Sequence, residues 1–257
     1  MDKIFSIFKK EFKGFFFNPN FWIVCGLMTV IMSWVYPISL NVFVQTLQNH
    51  VYQMNMPKQQ LNVHYAVFLR HLSYLNLMLI LIVPALTMRL FAEEKKMRTM
   101  DLLLTSPVSS AQIVIGKYLS VMGALFLIML IAFLYPVATS VFTKVSWGPL
   151  VVAFLGIFLV ASVYAAMDLF CSSLTESAIV SYVMAVIFNV AVWFIGIGAE
   201  VVDGSVGRQI FEHISLNNHL AQMVEGTIRT NSLVFFASLI GLFAFLSERV
   251  VESARWR

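Results

Sequence analysis

The chain has 257 residues, of which 60% are hydrophobic and only 12% charged, with a formal net charge of +4 and a mean hydropathy of +0.83. Soluble domains carry about 25% charged residues, so this composition marks a polytopic membrane protein. Six spans of about 20 residues with their loops fill the length and leave no room for a soluble catalytic domain. The basic residues cluster beside apolar runs, as membrane topology expects, which argues against nucleic acid as a partner.

Placing the amino-terminal residues at 100° steps puts Ile4, Phe5, Phe8, Phe12, Phe15 and Phe16 on one arc, with Lys3, Lys9, Lys10 and Lys13 opposite. This pattern predicts an amphipathic helix over 3–17 lying in the headgroup plane against membrane lipid. No small-residue cleavage site follows, so the stretch does not read as a cleaved signal peptide. Asn18-Pro19-Asn20 should end this helix and begin the next.

The first span is predicted over about 21–42, with Pro37 near its outer end. A polar stretch over 43–71, with three histidines and Pro57, reads as an exterior loop. The second span, about 72–88, contains Pro84. A charged segment from Arg89 to Lys117 follows, broken at Pro107. Five Lys/Arg and three acids in it cannot cross a hydrocarbon core where each costs about 2.5–3.5 kcal/mol, so it lies in water. Ser109 followed three residues later by Gln112 is a capping-box pattern opening the third span, about 112–141.

The fourth span, about 150–169, and the fifth, about 178–198, are joined by the short link CSSLTES. Asp168 should sit at the inner end of the fourth span, clear of most of the burial cost. Asn189 reads more simply as an interhelical hydrogen-bonding group than as part of a transport path. Small residues Gly156, Ala161, Ala165 and Ala166 suit close helix packing. An exterior segment over 199–231 has a moderately amphipathic centre (Ile210, Phe211, Ile214, Leu220, Met223, Val224) suited to the outer interface. The last span, about 233–246, ends in a charged tail.

With six spans and the amino terminus inside, twelve Lys and Arg lie on inner segments and five on outer ones, which predicts both termini in the cytoplasm. All five histidines then fall outside as solvated polar residues, since His213 and His219 lack ligand spacing and the others are scattered; no metal site is expected.

Chemistry is mostly absent. Gly116-Lys117 invites comparison with a phosphate-binding loop, but Ala111 stands where the first glycine belongs and Tyr118 where Ser or Thr would hold magnesium. No cofactor is expected on this chain, and an intramembrane serine protease would need a base at membrane depth that no span offers. The central segment carries the sharper signal. As a helix it would pair Glu94 with Arg98 and Glu93 with Lys96, while Leu102, Leu103 and Leu104 imply burial against a partner or the protein's own inner surface.

The run LIVPALTMRLFAEEKKMRTMDLLLTSPVSSAQIVIGKYL resembles the segment joining the second and third spans of ABC-2 type permeases, most of all the gliding-motility-associated branch. Glu93, Glu94, Lys96, Thr99, Asp101, Leu102, Leu103, Leu104, Thr105, Pro107, Gly116 and Lys117 match its pattern. NPNFW, SSLTES, FEHISLNNHLAQMVEGTIRTNSLVFF and ESARW extend the likeness along the chain. Arg98 stands where the family usually has glycine, and arginine favours continued helix by about 0.8 kcal/mol, so no bend is expected there.

The resemblance implies an all-α, single transmembrane domain of six helices that is not itself an enzyme. It implies pairing with a second permease chain, like or unlike itself, and with an ABC ATPase subunit that holds ATP. It also implies a companion protein with a periplasmic domain, and residence in a bacterial inner membrane. Glu93, Glu94, Lys96, Arg98, Thr99, Asp101 and the three leucines would form the ATPase-coupling element, driving export or movement of a substrate. A non-transporting energy transducer is the alternative that this architecture allows.

Overall fold

Asn18 makes the first corner. Its side chain accepts from the Asn20 N–H at 3.0 Å, and Pro19, whose missing N–H is no loss at a helix start, opens the next helix. The computed structural model describes residues 2–53, 62–105, 107–201, 209, 211 and 213–255. The side chains of Asp101, Leu102, Leu104 and His50 lie outside the described part, as do Pro57 and Ile210 altogether.

Helix α1 spans Asp2–Phe17 and α2 Pro19–Gln53. A π-helical turn at His64–Phe68 leads into α3, Leu69–Thr87. Two short helices follow, α4 (Ala92–Lys96) and α5 (Met100–Thr105). Then come α6 (Ser110–Ser140), α7 (Trp147–Leu174), α8 (Ala178–Val201), α9 (Leu216–Val224) and α10 (Thr230–Ala254). No strand occurs among the described residues. Among the described residues six helices are long and apolar enough to cross a membrane: α2, α3, α6, α7, α8 and α10. The protein is an all-α membrane protein.

Helix α7 is the axis of the bundle, with α3, α6, α8, α9 and α10 packed on it. In its most apolar window 72% of residues are buried, against 17% in α8 and in α10, so the last two offer most of their surface to lipid or to another chain. Ala161, Ala165 and Ala166 are fully or almost fully buried along α7, and Gly156 with them. Side chains this small let neighbouring backbones approach closely.

The bundle has two ends. At the near end lie α1, α4, α5 and the carboxyl end of α10. Lys3 bonds the Pro107 carbonyl, Arg255 bonds the Val108 carbonyl at 2.9 Å, and Ser110 bonds Glu252. At the far end lie the π-helical turn and α9.

Several expectations change. Helix α2 runs past Val42 to Gln53, and His71 lies inside α3 rather than in an exterior loop. His64, His71 and His219 are buried, at 4%, 1% and 5% exposure, instead of solvated. Each answers a local need. Pro136 has no N–H to donate to the carbonyl four residues back, and His71 Nε2 bonds that Ala132 carbonyl at 3.1 Å. His64 Nε2 bonds the Val224 carbonyl at the end of α9, 3.0 Å away.

Of the amphipathic centre of the outer segment, Leu220, Met223 and Val224 pack into the core on the α7 side rather than at the membrane boundary, while Ile214 stays 49% exposed. Asp168 is also displaced from its expected place. Helix α7 continues to Leu174, leaving Asp168 fully buried, with Asn189 Nδ2 donating to its Oδ2 at 3.3 Å. Asn189 is thus the interhelical hydrogen-bonding group expected of it.

Candidate coupling site around Lys117

The central segment is broken by a turn at Arg98, whose φ is +55°. Arg98 N donates to the Lys95 carbonyl at 3.1 Å and Thr99 N to the Glu94 carbonyl at 3.0 Å. This pair of bonds is a Schellman cap with Arg98 in the left-handed position normally taken by glycine. The expected loss of the bend is therefore corrected. Two capped carbonyls offset a left-handed penalty of about 1–2 kcal/mol on a non-glycine residue. Thr99 adds a side-chain bond to the same Glu94 carbonyl at 3.3 Å.

The turn sorts the segment into inward and outward residues. Phe91, Ala92 and Met100 are buried, and Leu103 packs against the core. Glu93, Lys96, Met97 and Arg98 face solvent, Met97 at 69% exposure. Glu94 points inward. Its Oε1 lies 2.8 Å from Lys117 Nζ and 3.9 Å from Lys10 Nζ, so it pairs across helices rather than with Arg98.

Lys117 is the buried centre of this end. Its side chain is 1% exposed, and its ammonium reaches Glu94, Glu11 Oε1 at 3.2 Å and the Leu90 carbonyl at 2.7 Å. An ammonium has three donors, and here three acceptors meet them. The Phe91 ring lies 5.2 Å from the nitrogen, adding a cation–π contact. One side chain on α6 thereby joins α1, the turn between α3 and α4, and α4 itself. Lys117 was visible in the sequence as part of a motif match, but Glu11 carried no signal that linked it to Lys117.

Glycine sets the distance between α1 and α6. A Cβ on Gly116 would fall 2.8 Å from Ile7 Cγ2, and one on Gly123 2.8 Å from Phe12 Cε2. Bare backbone is what lets Ile7 and Phe12 seat and brings Glu11 within reach of Lys117. The predicted aromatic arc divides accordingly. Phe15 is buried, Phe5 is 62% exposed, and Phe8 and Phe12 are half-buried in a ring ladder with centroids 5.4 Å apart.

A second elbow flanks the segment. Ser172 Oγ accepts from the Phe91 and Ala92 N–H groups at 3.2 and 3.3 Å and donates to the Met88 carbonyl at 3.1 Å. Lys95 bonds the Ser173 carbonyl. These bonds tie α4 to the end of α7. Between them and solvent, a cavity of about 550 Å³ opens among Arg89, Glu93, Lys96 and Glu176. Glu176 and Ile179, both exposed, extend the outward face; neither stands out in the sequence, because a short polar link between two spans looks like solvent filler. Pro107 follows α5 in an exposed, non-helical stretch that ends at the Ser109 cap.

A comparison with curated proteins finds none that matches. A family model described as "ABC-2 family transporter protein" matches residues 5–247. That match takes in α2 to α9 whole, most of α1 and α10, and the Lys117 site, so this multi-pass membrane protein belongs to the ABC-2 transporter family.

Proposed function

We propose that this chain is the permease subunit of an ATP-driven exporter, and that the exposed turn from Glu93 to Arg98, with Glu176 beside it, is where a separate ABC ATPase docks. The observation that carries the reading is the contrast across one short helix. Its outer face and C-terminal turn present Glu93, Lys96, Met97 and Arg98 to solvent, while Glu94 on its inner face is held to the buried Lys117 of a span. A push on the turn therefore reaches α6 and α1 through ionic and hydrogen bonds rather than through a loose loop. Nucleotide-driven closure of the ATPase would bias two arrangements of the spans.

Orientation follows in the same reading. Helix α1, the central segment and the end of α10 share one end, and most Lys and Arg lie there, which suits the cytoplasmic side of a bacterial inner membrane. The exposed Phe5, Phe16 and Phe17 and the exposed Lys9, Lys10 and Lys13 suit a helix seated at the lipid headgroups. The weakly buried α8 and α10 leave room for a second permease chain. A companion with a periplasmic domain, as in the gliding-type branch, would meet the far end.

The test replaces the exposed residues together, Glu93→Ala, Lys96→Ala and Arg98→Ala, in the tagged chain co-expressed with each ABC ATPase subunit of the same genome in turn, the partner being the one that the parent chain recovers. Recovery of the ATPase with the tagged permease should fall at least tenfold while the permease still inserts. Unchanged recovery with unchanged ATP hydrolysis would remove the docking role.

A further inference from the structure

We propose that the far end carries a binding site for an amphiphile whose head group is a protonated amine, seated between α3, α7, α8 and α9. A cavity of about 560 Å³ opens there, within the range of about 300–1,000 Å³ typical of small-molecule sites. Leu72, Ile157 and Leu220 form apolar lining and are buried.

The polar lining has one sign. Asn76 is 6% exposed, and its Oδ1 is buried without a hydrogen-bond partner. A buried, unpaired carboxamide oxygen is costly, and a donor from a ligand, with a small shift of the amide, would recover that cost. Tyr65, Tyr74 and Trp193 bring three electron-rich rings to the same cavity, and Glu225 brings a carboxylate. Among the described lining residues none is Lys or Arg. An ammonium would find a counter-charge, ring faces and an acceptor here, whereas an anionic head would find repulsion.

The tail has a place as well. Tyr74 and Leu77, at the rim, are 41% and 52% exposed on the outside of a span, so an alkyl chain leaving the cavity continues into the apolar phase. Binding stands on these residues alone. The inference that the amphiphile is cargo rests on the permease reading above.

The experiment uses the full chain in phosphatidylcholine nanodiscs and dodecylamine carrying a terminal diazirine. After irradiation, labelled peptides are mapped by mass spectrometry. Labelling should concentrate on 65–77 and 217–225, be competed by dodecylamine and not by dodecanoate, and fall about fivefold in Glu225→Gln, the size of one surface ion pair. Asn76→Leu should lower it similarly, and the exposed Glu225 keeps the test sound if the buried variant fails to fold. Equal competition by dodecanoate, unchanged labelling in Glu225→Gln, or labelling spread over the outer faces of α2 and α10 would overturn the site. No ATPase is present in this experiment, so its failure leaves docking at Glu93 untouched. Failure of docking with labelling intact would leave the site standing and remove only its role as a cargo site.

Discussion

Lys117 Nζ and Glu94 Oε1 meet at 2.8 Å, joining the first turns of a membrane span, α6, to the short helix α4. With Glu11 at 3.2 Å on the same nitrogen, the pair becomes a three-helix knot. Breaking a buried ion pair from one side costs more than the pair itself is worth, because the remaining charge loses its partner without regaining water.

Lys117→Met should therefore destabilise the protein by about 3–5 kcal/mol, leaving Glu11 and Glu94 facing each other. Adding Glu11→Gln and Glu94→Gln to that variant should recover a large part of the loss. Thermal unfolding of the purified chain in detergent checks both. A single variant as stable as the parent would mean that the knot is wet and weak.

What the sequence shows is local, and this site divides along that line. The Ser109–Gln112 capping box needs four consecutive residues, and both reciprocal bonds form at 3.2 Å. Apolar runs likewise announce the six helices. Lys117 with Glu11, and His71 with Ala132, depend on how distant helices meet, which no short window contains. Asp168 misleads for a different reason: hydropathy falls at CSSLTES, yet Ser172 and Ser173 are small enough to be buried and bond α4, so the helix outlasts the apolar run. Arg98 defies propensity because two backbone bonds of the turn outweigh a preference of less than about 1 kcal/mol.

Arg98→Gly tests that balance. Relief of the left-handed backbone should roughly cancel glycine's entropic cost, so stability should stay within about 0.5 kcal/mol of the parent. Arg98→Val, branched at Cβ, should cost about 1–2 kcal/mol locally. Hydrogen exchange of the Thr99 and Arg98 amides reads the difference, and equal protection in the two variants would contradict a left-handed residue at this position.

The seat of α1 makes a paired prediction. Gly116→Ala places a methyl 2.8 Å from Ile7 Cγ2, and such overpacking costs about 1–3 kcal/mol. Gly14→Ala, where a Cβ meets nothing within 4 Å, should instead stabilise α1 by about 0.5–1 kcal/mol. Trypsin cleavage after Lys13 reports detachment of α1: faster than the parent in Gly116→Ala, slower in Gly14→Ala. The opposite order would place α1 away from α6.

His219, on α9, supplies the pH dependence. Its ring stacks on Phe235 with centroids 4.2 Å apart, Nε2 bonds the His213 carbonyl at 3.1 Å and Nδ1 meets Ser232 Oγ at 3.0 Å. Burial, aided by the nearby His213 and opposed by the carbonyl bond, holds its pKa below the ordinary 6.5. Between the lowered folded value and 6.5 the unfolded segment binds the proton and the folded one does not. Stability is therefore complete above about pH 6.5 and declines as pH falls through that window. Hydrogen exchange of α9, followed from pH 8 to pH 5 and corrected for intrinsic rates, should show protection lost on the acid side. His219→Gln, which cannot take up the proton, should flatten the curve; a parent profile without acid loss, or an identical slope in the variant, would assign the dependence elsewhere.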